Sequence, residues 1–138
     1  MVDKVKDNVV YMDEAVLSID AEASVLEAAK KMRDKKLSSL IVTKGRDNWG
    51  IVTETDLSRK LVAEELNPKD TKVKFIMSKP IVSIDGESSM MDAFLKMGSN
   101  NIRHVAVTEE GLVMGILSMQ NFVSYYTKKF GAKKEPTP

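Results

Sequence analysis

Gly50-Ile51-Val52-Thr53-Glu54-Thr55-Asp56 is the stretch on which the reading of this chain turns, because it returns 65 residues later as Gly115-Ile116-Leu117-Ser118-Met119-Gln120-Asn121. The same offset works upstream without a gap. Ser18-Ile19-Asp20 falls on Ser83-Ile84-Asp85, Glu22 on Glu87, Ser24 on Ser89, Lys31-Met32 on Lys96-Met97, and Val42-Thr43 on Val107-Thr108. Roughly a quarter of the paired positions from Met12 to about Val62 are identical, and most others exchange one apolar residue for another. A repeat of this length is one supersecondary unit, and two such units complete each other's core. Any site they form is duplicated, so differences between the copies carry the information.

Within each copy the pattern reads strand, helix, strand, strand, helix. Ala15 to Ile19 is a short apolar strand. Ser24-Val25-Leu26-Glu27 has capping-box spacing, with Val25, Ala28, Ala29 and Met32 recurring at helical intervals behind it. Leu40 to Thr43 and Trp49 to Thr53 flank turn residues and predict a hairpin, with Trp49 as a half-exposed aromatic on it. Asp56 to Glu65 predicts a second helix whose stripe is Leu57, Leu61 and Val62, ended by Asn67-Pro68. In the second copy the strand is Ile81 to Ile84 and Ser89 caps a helix through Ala93, Phe94 and Met97. The hairpin is His104 to Thr108 with Val113 to Ser118, and the last helix is Asn121 to Phe130. A short leading turn is expected before each copy, with Val9-Val10-Tyr11 matched to Val73 through Ile76. The division that follows is 1–66 for leader and first repeat, 67–130 for link and second repeat, and 131–138 for a frayed tail.

Composition narrows the function classes. At 138 residues the chain holds one domain or two intimate half-domains, and its 43 % hydrophobic content suffices for a core. The formal net charge of +1 argues against a nucleic-acid binder, which shows a basic excess. With no cysteine there are neither disulfides nor thiolate metal sites. No apolar run reaches the ~18 residues of a membrane helix and the N-terminus is charged, so a cytoplasmic protein without a membrane role is expected. One histidine, no cysteine and no cluster at ligand spacing give no nucleophile–base pair and no metal centre, so no catalytic residue is assigned.

The Gly50 segment resembles the closing motif of CBS domains: glycine, two apolar residues, Thr or Ser, two variable residues, Asp. Ser18-Ile19-Asp20 with the Ser24 to Met32 helix is similar to the family's first strand and helix. Leu37-Ser38-Ser39-Leu40 and Ile102-Arg103-His104-Val105 are similar to the start of its second strand. The resemblance runs from about Met12 to Tyr126. It implies a stand-alone CBS pair, or Bateman module. Its fold would be α/β (α+β), two pseudo-symmetric β-α-β-β-α units packed through their sheets, with clefts that take AMP, ADP, ATP or S-adenosylmethionine. No cofactor is required. An unknown effector protein is the expected partner, together with a second copy in a disc-like homodimer formed through Leu61, Phe122 and Tyr126 of the helices that follow the motifs.

The motif suits a nucleoside. Thr53 and Thr55 bring hydroxyls to a helix start, where free N–H groups favour an anion. The Asp56 carboxylate accepts both hydrogens of a ribose diol, each bond worth about 1.5–3 kcal/mol. Ile51 offers a wall for the base. The same Thr-to-Asp spacing is also an ordinary helix cap, which stabilises by about 1 kcal/mol and binds nothing. In the second copy Ser118 keeps the hydroxyl but Asn121 replaces the aspartate, with a loss of roughly tenfold in affinity. Arg103 and His104, where the first copy has Ser38 and Ser39, fit phosphate oxygens. The resemblance also places Ile81, Val82, Ala93 and Ile102 among the ligand-binding positions. The competing reading is a structural dimerisation module that has lost its ligand.

Overall fold

The computed structural model describes residues 3–11 and 17–131. Ala15 and Val16 of the predicted first strand, and the tail from residue 132, lie outside the described residues. Two compact units result, one from residues 17–82 and one from residues 3–11 together with 83–131.

The first-repeat unit runs β1 (Ser18–Asp20), α1 (Val25–Lys35), β2 (Ser39–Lys44), β3 (Asp47–Thr53) and α2 (Glu54–Asp56). The second-repeat unit runs β4 (Ser83–Asp85), α3 (Met90–Ser99), β5 (His104–Glu109), β6 (Leu112–Ser118) and α4 (Met119–Phe130). Each has a three-stranded sheet in the order β1-β2-β3 or β4-β5-β6, the first pair parallel and the second antiparallel. Both hairpins carry an irregularity at the same place, after Val42 and after Val107. The two mixed units are those the repeat predicts.

The helices start where the sequence sets them. Ser24 and Ser89 hydroxyls accept the N–H of Glu27 and Asp92, at 3.1 and 2.9 Å. Glu27 does not close the expected box on the Ser24 backbone; its carboxylate accepts from the Ser24 hydroxyl. Val25, Ala28 and Met32 of α1 pack on Leu40, Val42 and Val52 from one face of the sheet. In the other unit Met90, Ala93 and Met97 take those positions on α3. From each helix a lysine reaches back to the first strand, Lys31 to the Ser18 carbonyl and Lys96 to that of Ser83, both at 2.6 Å.

Three expectations change. The helix predicted from Asp56 is a short α2 that widens into a π-helical turn over Leu57–Val62, marked by the Ala63 N–H to Ser58 carbonyl bond. The wider turn buries Leu61 and leaves Val62 70 % exposed, so Val62 leaves the apolar stripe. The strand predicted from Ile81 begins only at Ser83, which puts Ile81 and Val82 in the link, half-buried.

The third change concerns the leading turns. Both exist, as 3-10 turns at Val5–Tyr11 and Val73–Phe75, but each serves the other repeat. Val5 N–H donates to the Ser88 carbonyl and Met90 N–H to that of Asp3. Equivalently, Val73 N–H donates to the Ala23 carbonyl and Val25 N–H to that of Thr71. The counterpart of Val73 is therefore Val5, not Val9, and both valines are 0 % exposed. The flanking lysines complete the pattern. Lys4 and Lys6 pair with Glu87, and Lys72 and Lys74 pair with Glu22.

Each glutamate is held by two lysines, whose hydrogen bonds bring its carboxyl from the ordinary 4.5 down to about 2. A depressed folded-state value stabilises above the unfolded value and ceases to do so as the pH falls through the folded one. The wild-type advantage over a Glu22→Gln, Glu87→Gln double variant should therefore shrink between pH 4.5 and about 2. Both clamps lie at the surface, so 1 M salt should shrink it too. Urea unfolding across that pH range checks this, and parallel profiles would rule it out.

Candidate functional site

β3 delivers Gly50, Ile51 and Thr53 to the start of α2, and the link returns to meet them. Ile51 and Ser78 exchange backbone hydrogen bonds, at 3.0 and 2.8 Å. This close approach needs glycine next door. A Cβ on Gly50 would lie 2.8 Å from the Ser78 carbonyl oxygen and 2.9 Å from Met77 Sδ. The leading glycine of the motif thus makes room for the backbone that carries Ser78.

Ser78 is there for Asp56. Asp56 is 3 % exposed, and every acceptor direction of its carboxylate is used. Oδ2 accepts from the Thr53 N–H at 2.9 Å and the Thr53 hydroxyl at 3.2 Å. Oδ1 accepts from the Ser78 hydroxyl at 2.9 Å and the Lys60 ammonium at 2.9 Å. Asp56 N–H donates back to Thr53 Oγ1 at 3.3 Å, which closes a capping box. The helix-cap role is therefore present, with two donors added that capping does not need.

The second unit repeats the box in neutral form. Ser118 N–H donates to Asn121 Oδ1 at 2.8 Å, and Asn121 N–H donates to Ser118 Oγ at 3.0 Å. The position matching Lys60 is Tyr125, whose hydroxyl donates to Asp3.

The sheet face opposite the α1 core is also buried. It carries Ser39, Ile41, Ile51 and Thr53, because Ser39 lies directly opposite Thr53 and Ile41 opposite Ile51. Ser39 is 4 % exposed, and its hydroxyl is the one buried side-chain polar atom among the described residues without a hydrogen-bond partner. Such an orphan costs about 1–3 kcal/mol.

The predicted residues thus fall in two groups. Ile51, Thr53 and Asp56 come together in the first-repeat unit. Thr55 is exposed on α2, and Ile81 and Val82 lie in the link. In the second-repeat unit His104 pairs with Ser118 across β5 and β6, and the Arg103 carbonyl accepts from Met119 N–H at 2.8 Å. This gathers Arg103, His104, Ser118 and Asn121. Arg103 is exposed, with no carboxylate at salt-bridge distance among the described residues. Ala93 is fully buried on the core side of α3, and Ile102 is half-buried before β5. Sequence reading noted Ser39 only as the counterpart of His104 and missed Lys60 and Ser78. Only the Asp56 to Lys60 spacing of four, the usual helical ion-pair interval, offered a signal for one of them. Trp49, half-buried, lies between the Lys44 and Lys79 ammonium groups, 4.7 and 4.4 Å from its ring.

Among the described residues no group of three His, Cys, Asp or Glu could hold a metal, and no helix is long and apolar enough to cross a membrane.

The duplicated unit, its capping-box motif and its mixed sheet define a tandem α/β repeat architecture, and comparison with known proteins agrees. The CBS domain family matches residues 5–63 and 73–128, so this chain belongs to the CBS domain family. The match starting at residue 5 takes in the leader. A CBS-CP12 protein from bloom-forming cyanobacteria, described as hexameric, is 31 % identical with a TM-score of 0.83. That match covers 99 % of this chain and 78 % of the other. A putative signal-transduction protein with CBS domains from Burkholderia ambifaria MC40-6 is 26 % identical with a TM-score of 0.80, over 91 % of this chain and 90 % of that one. CBS domain-containing protein CBSCBSPB1 of Arabidopsis thaliana is 29 % identical over 104 residues, 75 % of this chain. The chain spans only 19 % of that relative's length and 52 % of an uncharacterised Methanopyrus kandleri relative.

Gly50→Ala should destabilise by about 1–3 kcal/mol, because the methyl group meets backbone rather than a flexible side chain. Gly98→Ala, with open space around it inside α3, should stabilise by roughly 0.5–1 kcal/mol. Equilibrium denaturation of both variants checks the contrast, and a neutral Gly50→Ala would contradict the packing described.

Proposed function

We propose that this CBS pair is a non-catalytic regulatory module that binds an adenosine-containing ligand, of the class of AMP, ADP, ATP or S-adenosylmethionine, and signals to a partner protein. The observation that carries this reading is the unpartnered Ser39 hydroxyl, buried on the sheet face that also presents Thr53 and Ile51. A ligand or its ordered water satisfies that hydroxyl, while Ile41 and Ile51 supply apolar surface beside it. In the second-repeat unit the exposed Arg103 guanidinium, with its planar fork, suits phosphate oxygens.

A structural association module is the second reading, and the saturated Asp56 carboxylate favours it. In that case the box serves only to start α2. Thermal scans separate the two. A ligand at a hundredfold excess over its dissociation constant adds about 2.7 kcal/mol, which raises the melting midpoint by roughly 5–10 °C. Ser39→Ala should raise the midpoint of the free protein and reduce the shift given by the ligand. If millimolar AMP, ATP and S-adenosylmethionine all leave the midpoint unmoved, the association reading takes its place.

Association with a second copy is also proposed, through a revised surface. Leu61 and Phe122, expected at the interface, are buried within their own units, and Phe122 stacks on Phe94 with ring centroids 4.4 Å apart. What stays exposed is Tyr126 with Met91 and Leu95 of α3 and Val123 and Phe130 of α4. Large apolar side chains grouped this way mark an interaction surface. Leu95→Glu should reduce the mass measured by light scattering at micromolar concentration. An unchanged mass would remove this face from the interface.

A further inference from the structure

Resting on the nucleoside-binding reading above, we propose that Lys60 makes the first-repeat site prefer phosphate-bearing ligands over the bare nucleoside. The argument starts from the full occupancy of Asp56. The two donors on Oδ2 belong to Thr53 and are part of the cap itself. The two on Oδ1 come from outside it: the Ser78 hydroxyl, on the link, and the Lys60 ammonium, one helical turn further along.

A vicinal diol that reaches Asp56 has one carboxylate oxygen to take without undoing the cap, and that is Oδ1. It replaces the two resident donors one for one. Lys60 is the donor free to leave. Its side chain is 45 % exposed and its other polar contact is a 3.2 Å bond to Ser78 Oγ. The exchange strips the ammonium of its counter-charge and gives the carboxylate neutral hydroxyls in return. A nucleoside offers the displaced lysine nothing. A nucleotide brings its own anion, which the flexible four-carbon stem can follow. Lys60 therefore acts as a resident competitor that only a phosphate rewards.

The second repeat differs at both positions together. Asn121 stands where Asp56 stands, and Tyr125, not a lysine, stands where Lys60 stands and donates to Asp3. The acceptor and its competitor are both neutral there, so the preference belongs to the first repeat alone.

The test is calorimetric titration of the full chain with AMP and with adenosine. Wild-type protein should bind AMP more tightly. Lys60→Met should leave adenosine equal or tighter and weaken AMP, lowering the AMP-to-adenosine preference by about tenfold. Lys60→Arg should keep the preference. Lys60→Gln, which also removes the charge, takes the place of Lys60→Met if melting scans show the latter unfolded. Equal factors for both ligands in the neutral variants overturn the role of Lys60 while leaving the nucleoside site standing. Failure of wild-type protein to bind either ligand overturns the site and this inference with it.

Discussion

Neither repeat can close its core without the segment that precedes the other. Val5 fills the second-repeat unit and Val73 the first, each fully buried and each flanked by two lysines that clamp one glutamate. Burying a valine side chain contributes about 1.5–3 kcal/mol, so neither plug is dispensable in a unit of this size. The exchange also orders the backbone at both ends of the helices. The first N–H groups of α1 and α3 need acceptors, and the plugs supply them through Thr71 and Asp3. The link then has a fixed path from Val73 to Ser78. The candidate site depends on that path, since Ser78 reaches Asp56 from a chain that has just been anchored at Val73.

Asp56 shows how one carboxylate serves two purposes. Through Oδ2 it caps, with the same geometry as Asn121 in the other unit. Through Oδ1 it holds Ser78 and Lys60, for which Asn121 has no equivalent acceptor. A neutral amide suffices to start a helix. The charge is needed only for the second pair of contacts. The aspartate-to-asparagine difference between the copies therefore leaves the cap intact and changes only the contacts beyond it.

Much of this was legible in the sequence. The serine caps, the apolar intervals of α1 and α3 and both hairpins follow local rules, and local rules can be read locally. The π-helical turn could not be. Leu57 and Leu61 are spaced for an α-helix, and the wider turn shows only in its hydrogen bonds. The leaders were misaligned because Lys4-Val5-Lys6 and Lys72-Val73-Lys74 repeat at an offset of 68, three more than the body of the repeat. A three-residue echo at a different shift is easily lost beside a long one. In the candidate site, the motif residues were named from the sequence and their neighbours were not. Ser39 and Ser78 join it through strand register and a bridge across the link; the repeat offset marked Ser39 only as the position of His104, and nothing nearby marked Ser78.

An internal duplication is also an internal comparison. Where the two copies agree in residue and geometry, as in Lys31 and Lys96 or Glu22 and Glu87, the feature holds the unit together whatever it binds. Where they differ, a single change could be drift. Asp56 and Lys60 against Asn121 and Tyr125 is a change in both partners of one contact. An aspartate at 121 would have no lysine four residues on, where Tyr125 donates to Asp3 instead. The charged pair of the first copy is replaced at both positions, and a buried aspartate at 121 without that lysine would be costly. The paired replacement supports reading the two motifs as distinct variants of one cap and not as one motif and its decayed copy.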